Sequence, residues 1–298
     1  MSAPPPGDDG PLALICGAGT LPFAVADAAI ARGRRVVLYP IRGFAEPARV
    51  AAYPHHWIAV GQFGRFRRLT AQEGCRDVAM IGAMVRPAWS QMRFDLGMLA
   101  MLPTILRGFR GGDDHLLSTL GRVMEKAGLR PVGAHEVAPD ILVPEGALGR
   151  VTPRAGDAAD IAKAFDFLNV NSRFDTGQAV VVADNQVLAV EAAEGTDAML
   201  ERVAALRDSG RIRLPAGVGV LAKAPKRQQD RRFDLPTIGP VTVDKIVRAS
   251  LAGIAVRAGE TVIAEPAATA AAADRAGVFV LGLAEHGADG NNSGEAGQ

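Results

Sequence analysis

Residues Leu12–Gly33, LALICGAGTLPFAVADAAIARG, decide how the first half of the chain folds. Leu12–Cys16 reads as a buried strand, the Gly17-Ala18-Gly19 turn follows, and Leu21–Arg32 has the composition of a helix. Strand, glycine turn and helix are the parts of a phosphate site, because glycine admits a phosphate to the backbone and the helix N-terminus offers unpaired N–H groups. A dinucleotide fingerprint would need a third glycine where Pro22 stands and an acid ending the next strand, which instead runs Leu38-Tyr39-Pro40-Ile41. Both departures argue against NAD and FAD. Gly17, Ala18, Gly19, Thr20 and Leu21 are therefore read as contacts to a ligand of another kind, with a tight turn that binds nothing as the alternative.

Further along, the alternation continues. Arg35–Pro40, Trp57–Val60, Asp77–Ile81 and Leu129–Gly133 read as strands, and Phe63–Gly74 and Asp113–Gly128 as helices. Strands alternating with helices predict a parallel, doubly wound, Rossmann-like sheet over 11–145. After about Pro144 the texture changes. Asp157–Asn169 is helical, and Gln178–Ala183 and Gln186–Glu191 flank Asp184-Asn185, a good two-residue hairpin turn. Helices over Thr196–Asp208, Thr242–Leu251 and Pro266–Ala276 mix with strands at Val218–Lys223, around Val256, at Thr261–Ala264 and at Val278–Leu283. This predicts a second, mixed α/β domain over 146–284, with disordered tails at 1–10 and 285–298.

Composition narrows the function classes. Lys and Arg number 33 against 32 Asp and Glu, so no global field draws the chain to nucleic acid and any basic site must be local. Two cysteines make no disulfide framework and fit a reducing compartment. No apolar run is long enough to span a membrane, and the proline-rich, acidic start is unlike a signal peptide, so the expected location is the cytoplasm. The five histidines show no zinc spacing, and no Gly-x-Ser-x-Gly motif suggests covalent catalysis.

Charge concentrates in Lys223, Lys226, Arg227, Gln228, Gln229, Asp230, Arg231, Arg232 and Asp234. Five cations and two carboxylates between apolar segments suit a phosphate diester and a hard metal ion, although a solvated surface loop would read the same way. An acidic group precedes it: Asp175, Gly177 and Gln178 enter the hairpin, and Glu191, Glu194, Gly195, Thr196 and Asp197 leave it. Carboxylates where a strand gives way to a helix could hold a cation, while Asp197 could simply complement the helix dipole. Glu191 ends the apolar run VLAVE, where burial without a partner would be costly.

FDTGQAVVVADNQVLAVEAAEGTDAML (174–200), KAPKRQQDRRFDLPTIGPVTVD (223–244) and the opening LICGAGTLPF together resemble the LpxI-type UDP-2,3-diacylglucosamine pyrophosphatases of lipid A biosynthesis, over about residues 11–284. The resemblance implies hydrolysis of a UDP-sugar lipid to UMP and 2,3-diacylglucosamine 1-phosphate, with Mg²⁺ as cofactor. It implies Asp230, Lys223 and Arg231 as catalytic residues, and Asp230, Glu191, Glu194 and Asp197 as metal candidates. Gly82, Gln178, Thr196, Lys226, Gln229 and Arg232 join Gly17–Leu21 as substrate contacts between the domains. A membrane-borne lipid substrate implies transient contact with the inner-membrane surface, and a homodimer stays open. The rivals are a non-catalytic UDP-sugar or lipid carrier, and an oxidoreductase using the N-terminal loop.

Overall fold

The computed structural model describes residues 10–84, 93–99, 101, 113–174, 176–227 and 229–284, with the backbone alone at 113–116. The expected tails except Gly10, together with Asp175, Gln228 and the His115 side chain, lie outside the described residues. In the N-terminal part, β1 (Leu12–Cys16), β2 (Val36–Pro40), β3 (Asp77–Ile81) and β4 (Arg130–Pro131) form a four-stranded sheet in the order β2-β1-β3-β4. Every pairing in it is parallel, as the alternation predicts. Helices α1 (Leu21–Ala31), α2 (Pro47–Val50), α3 (Phe63–Glu73), α4 (Asp113–Lys126) and α5 (Ala134–Val137) connect and cover it. β1 is apolar throughout because both faces are covered. A buried carboxylate interrupts this core: Asp77 is held by Arg34 at 2.5 Å and by Arg130 at 2.6 and 2.8 Å.

The strand expected at Trp57–Val60 does not form. That segment runs beside β2 through isolated bridges, Leu38 to His55 and Ile41 to Ile58. Pro54, just before it, has no N–H to extend the ladder.

The C-terminal part is built on a six-stranded sheet in the order β5-β12-β10-β8-β6-β7. Its strands are β5 (Gly146–Ala147), β6 (Ala179–Ala183), β7 (Gln186–Val190), β8 (Val220–Lys223), β10 (Gly253–Arg257) and β12 (Phe279–Leu283). β8, β10 and β12 run parallel, while β5, β6 and β7 pair antiparallel, so the sheet is mixed. Between them lie α6 (Ala155–Asn171), α7 (Gly195–Asp208), α8 (Pro240–Arg248) and α9 (Pro266–Ala276); β9 (Thr237–Ile238) and β11 (Val262–Ile263) form a small parallel pair. β8 starts later than its sequence suggests because Gly219, with φ at +103°, turns the chain before it. The Asp184-Asn185 turn has φ of +50° and +59°, the two left-handed residues of the predicted hairpin. The Asp160 carboxylate accepts both turn amides, at 3.0 and 2.7 Å.

The two parts touch along a seam. Val262 belongs to the N-terminal core, and Leu235 packs against that core. Leu142 bridges to Val262, and Thr20 Oγ1 donates to Glu265 Oε1 at 3.2 Å. Among the described residues, no helix is long and apolar enough to cross a membrane.

Candidate active site

The register of the second sheet gathers the expected C-terminal residues. Ala179, which opens β6, pairs with Lys223, which closes β8. Glu191, just after β7, is held to β6 by its own N–H on the Ala179 carbonyl at 2.9 Å. Gln178, Glu191 and Lys223 therefore meet at one end of the sheet, and it is the carboxyl end of the parallel strands, where open α/β sheets bind ligands. α7 begins there too, which adds Thr196 from its first turn.

A continuous hydrogen-bonded chain results. The Gln178 N–H donates to Glu191 Oε2 at 2.8 Å, and the Thr196 hydroxyl donates to Glu191 Oε1 at 2.8 Å. Lys223 Nζ donates to Thr196 Oγ1 and to the Thr237 carbonyl, each at 3.0 Å. Gly177 is what lets the backbone come so near the carboxylate, since a Cβ there would lie 2.2 Å from Glu191 Cγ. Lys223 is only 7% exposed, and burial pushes its amine below the usual lysine range despite the opposing fields of Glu191, Asp234 and Asp197. A buried cation ringed by carboxylates is costly to build, and such groups concentrate at functional sites.

The charged loop after β8 is ordered by its own side chains. Gln178 Nε2 donates to Asp234 Oδ2 at 2.6 Å, tying the loop to β6. Gln229 also donates to the Asp234 side chain, and to its carbonyl at 3.0 Å, while its own Oε1 accepts the Lys226 N–H at 3.0 Å. Asp230 accepts three bonds from Arg232: from the backbone N–H at 3.1 Å, Nε at 2.9 Å and Nη2 at 2.8 Å. These hold its carboxyl below the ordinary range against the opposing effect of burial. The remaining side of that guanidinium reaches Glu125 of α4 at 2.9 Å, and Arg231 pairs with Glu260 at 2.5 Å.

The structure thus brings only some of the sequence-predicted residues together, in two clusters. Gln178, Glu191, Thr196 and Lys223 come together, with Gln229 joined to them through Asp234; Asp230 and Arg232 form a second cluster. Glu194 is engaged by Arg202 at 2.9 Å, and Asp197 lies on the first turn of α7. The N-terminal turn uses its first amides internally: Gly17 N–H donates to Ile81 O at 2.8 Å and Ala18 N–H to Ala83 O at 2.9 Å. Gly17 and Gly82 are glycines because a Cβ on either would meet the other's backbone within 3.0 Å. Glu125, Glu260 and the Thr237 carbonyl were not legible beforehand, since nothing in a helix or loop sequence marks which side chain a separate segment will meet, whether 14 positions away, as for Thr237 and Lys223, or 107, as for Glu125 and Arg232.

For a divalent ion the donor set is sparse. Among the described residues, no three of His, Cys, Asp and Glu converge into a cage. Mg²⁺ does not require one, because it keeps several waters and takes one or two carboxylates plus substrate phosphates. Glu191, Glu194 and Asp230 each already accept hydrogen bonds, but a carboxylate oxygen keeps a further lone pair, so one ligand from this group fits what Mg²⁺ requires.

Comparison with known proteins agrees with the order of these motifs. A model described as the LpxI N-terminal domain matches residues 11–141, and one described as the LpxI C-terminal domain matches 144–281. A protein of Caulobacter vibrioides named UDP-2,3-diacylglucosamine pyrophosphatase LpxI is 43% identical over 272 residues, 91% of this chain and 97% of its own. Among solved structures, the Bordetella bronchiseptica enzyme WbmG in complex with NAD aligns at 15% identity over 42% of this chain and 36% of its own. Its TM-score of 0.29 is too low to inform either fold or ligand. Two domain models in order and a relative of this identity along almost the whole length place the chain in the LpxI family.

Proposed function

We propose that the protein hydrolyses the pyrophosphate bond of UDP-2,3-diacylglucosamine to UMP and 2,3-diacylglucosamine 1-phosphate, in lipid A synthesis. The observation that carries this reading is the 43% identity to the Caulobacter pyrophosphatase across both proteins' lengths. The buried Lys223 and the Asp230 loop at one sheet end support the placement of the chemistry in the C-terminal part, 146–284.

In the reaction, the oxygen of a water bonds to one phosphorus, the P–O–P bridge breaks, and the departing phosphate keeps the bridging oxygen. Asp230, ionised at neutral pH, orients that water and accepts its proton. Lys223 and Arg231 stabilise charge developing on the phosphate oxygens. Gln178, Thr196, Lys226, Gln229 and Arg232 bind the diphosphate and sugar, with Gly17–Leu21 and Gly82 contributing from the N-terminal part. Asp230 would hold Mg²⁺, which supplies Lewis-acid polarisation of the phosphoryl oxygens when bound; Asp197 is the weaker second carboxylate. Because the substrate is a lipid, the protein works from the cytoplasm in transient contact with the inner membrane.

The test is UMP release from UDP-2,3-diacylglucosamine in mixed micelles, with Mg²⁺ and with EDTA, for wild type and Asp230→Ala. The reading expects EDTA to stop turnover and Asp230→Ala to lose at least about 100-fold in kcat. Wild-type turnover in Asp230→Ala removes that residue from the chemistry. Tight binding of the lipid with no UMP under any divalent ion makes the protein a carrier instead.

A further inference from the structure

The loop that carries Asp230 is not anchored by its own half of the molecule alone. Phe233 packs into the core that contains Ala13, Ile15, Val37 and Met124 of the N-terminal part. Its seat is Gly121 of α4, where a Cβ would lie 2.7 Å from Phe233 Cε2 and 2.9 Å from Cζ. One helical turn on, Glu125 accepts from Arg232 Nη1 at 2.9 Å, while Nε and Nη2 of the same guanidinium grip Asp230. Gly121 and Glu125 are four residues apart, so they share one face of α4. A glycine in a helix interior is the poorest choice after proline, and the close approach of the Phe233 ring gives it a reason.

We infer that this face of α4 is a positioning platform for the reactive loop: Gly121 seats Phe233, Glu125 orients Arg232, and Arg232 in turn fixes the Asp230 carboxylate. Glu125 and Gly121 are positioning residues, and the inference rests on the reading of Asp230 as the residue that handles water. The backbone shows the same dependence. The Phe233 N–H donates to the Asp230 carbonyl at 3.0 Å, and the Arg232 N–H to the Asp230 side chain at 3.1 Å. Loosening Arg232 therefore exposes these amides and frees the Asp230 carboxylate to turn.

The experiment pairs amide hydrogen exchange of residues 230–235 with steady-state kinetics on UDP-2,3-diacylglucosamine, for wild type, Glu125→Gln, Gly121→Ala and Asp230→Ala. For Glu125→Gln, exchange of the Arg232 and Phe233 amides should rise about two- to fivefold, the span of a partly exposed ion pair. Its kcat should fall about three- to tenfold with KM within twofold. Gly121→Ala should show the same loss of kcat although alanine is the better helix former, so the loss belongs to the displaced ring. Exchange and kcat at wild-type values in both variants overturn the platform. Faster exchange with wild-type kcat, while Asp230→Ala is inactive, overturns its role in positioning for the reaction. Faster exchange with an active Asp230→Ala leaves the platform standing as an anchor and overturns the reading of Asp230.

Discussion

Gly17 and Gly177 both sit at strand ends where a Cβ does not fit, but for opposite reasons. At Gly17 the obstruction is backbone: the carbonyl of Ala83 at 2.7 Å and that of Gly82 at 2.8 Å. At Gly177 it is the Glu191 side chain at 2.2 Å. The first glycine lets two strand ends of the N-terminal sheet pair with each other; the second lets a backbone close on a carboxylate beside a buried lysine. A glycine motif thus reports a close approach, and only the approaching partner says whether chemistry follows.

This contrast can be broken by substitution. The largest effect is expected at Lys223. Lys223→Met keeps the length of the side chain but removes the charge, and kcat should fall about 100- to 1,000-fold, as on deleting a charge-stabilising donor. The activity lost should exceed anything produced at the N-terminal turn. Because burial depresses the Lys223 amine, its protonated form is lost at lower pH than for an ordinary lysine near 10.4, so the wild-type basic limb should lie below that value. A basic limb unchanged in Lys223→Arg would separate it from this group.

Next in size is a change far from the site. Asp77→Asn should cost about 2–3 kcal/mol, less than for a fully buried pair because Arg130 is 61% exposed, with kcat preserved. Burial raises the Asp77 carboxyl, but the hydrogen bonds from Arg130 and Arg34 outweigh it and the net shift is downward. A depressed folded pKa contributes stability above the unfolded value near 3.9, and loses it as pH falls through the folded value. The gap in Tm between wild type and Asp77→Asn should therefore shrink below about pH 4.

The two glycines themselves give the direct test. Gly17→Ala and Gly177→Ala should each cost about 1–3 kcal/mol by overpacking. Only Gly177→Ala should lower kcat beyond what its stability loss explains, because it displaces Glu191; equal kinetic losses would erase the distinction. The smallest effect is expected for Thr20→Ala, which removes one exposed hydrogen bond to Glu265 and should cost less than about 1 kcal/mol. If its KM rises more than about tenfold, the N-terminal turn contacts the substrate strongly.

Much of the architecture was legible because it follows from local pattern. The apolar run at β1, the Asp184-Asn185 turn and the alternation of strands and helices each depend on nearby residues. Trp57–Val60 misled because its apolar character is real but its backbone meets β2 only at isolated bridges. Of the candidate site, the residue types and their grouping in two motifs were visible, whereas their partners were not. Asp230 is held by its neighbour Arg232, but the group that steadies Arg232 is Glu125, on a helix of the other half.

By itself, the sequence determined that there are two α/β parts, a glycine turn without a dinucleotide fingerprint, and a charged loop flanked by apolar segments. Those properties are set by periodicity, backbone freedom and charge, which act over a few residues. Tertiary structure decided that Gly17 pairs with the β3 end, that Lys223 is buried among carboxylates, and that the Asp230 loop rests on α4. These depend on strand register and on contacts between distant segments, where the energy of an approach exists only once both partners have been brought together.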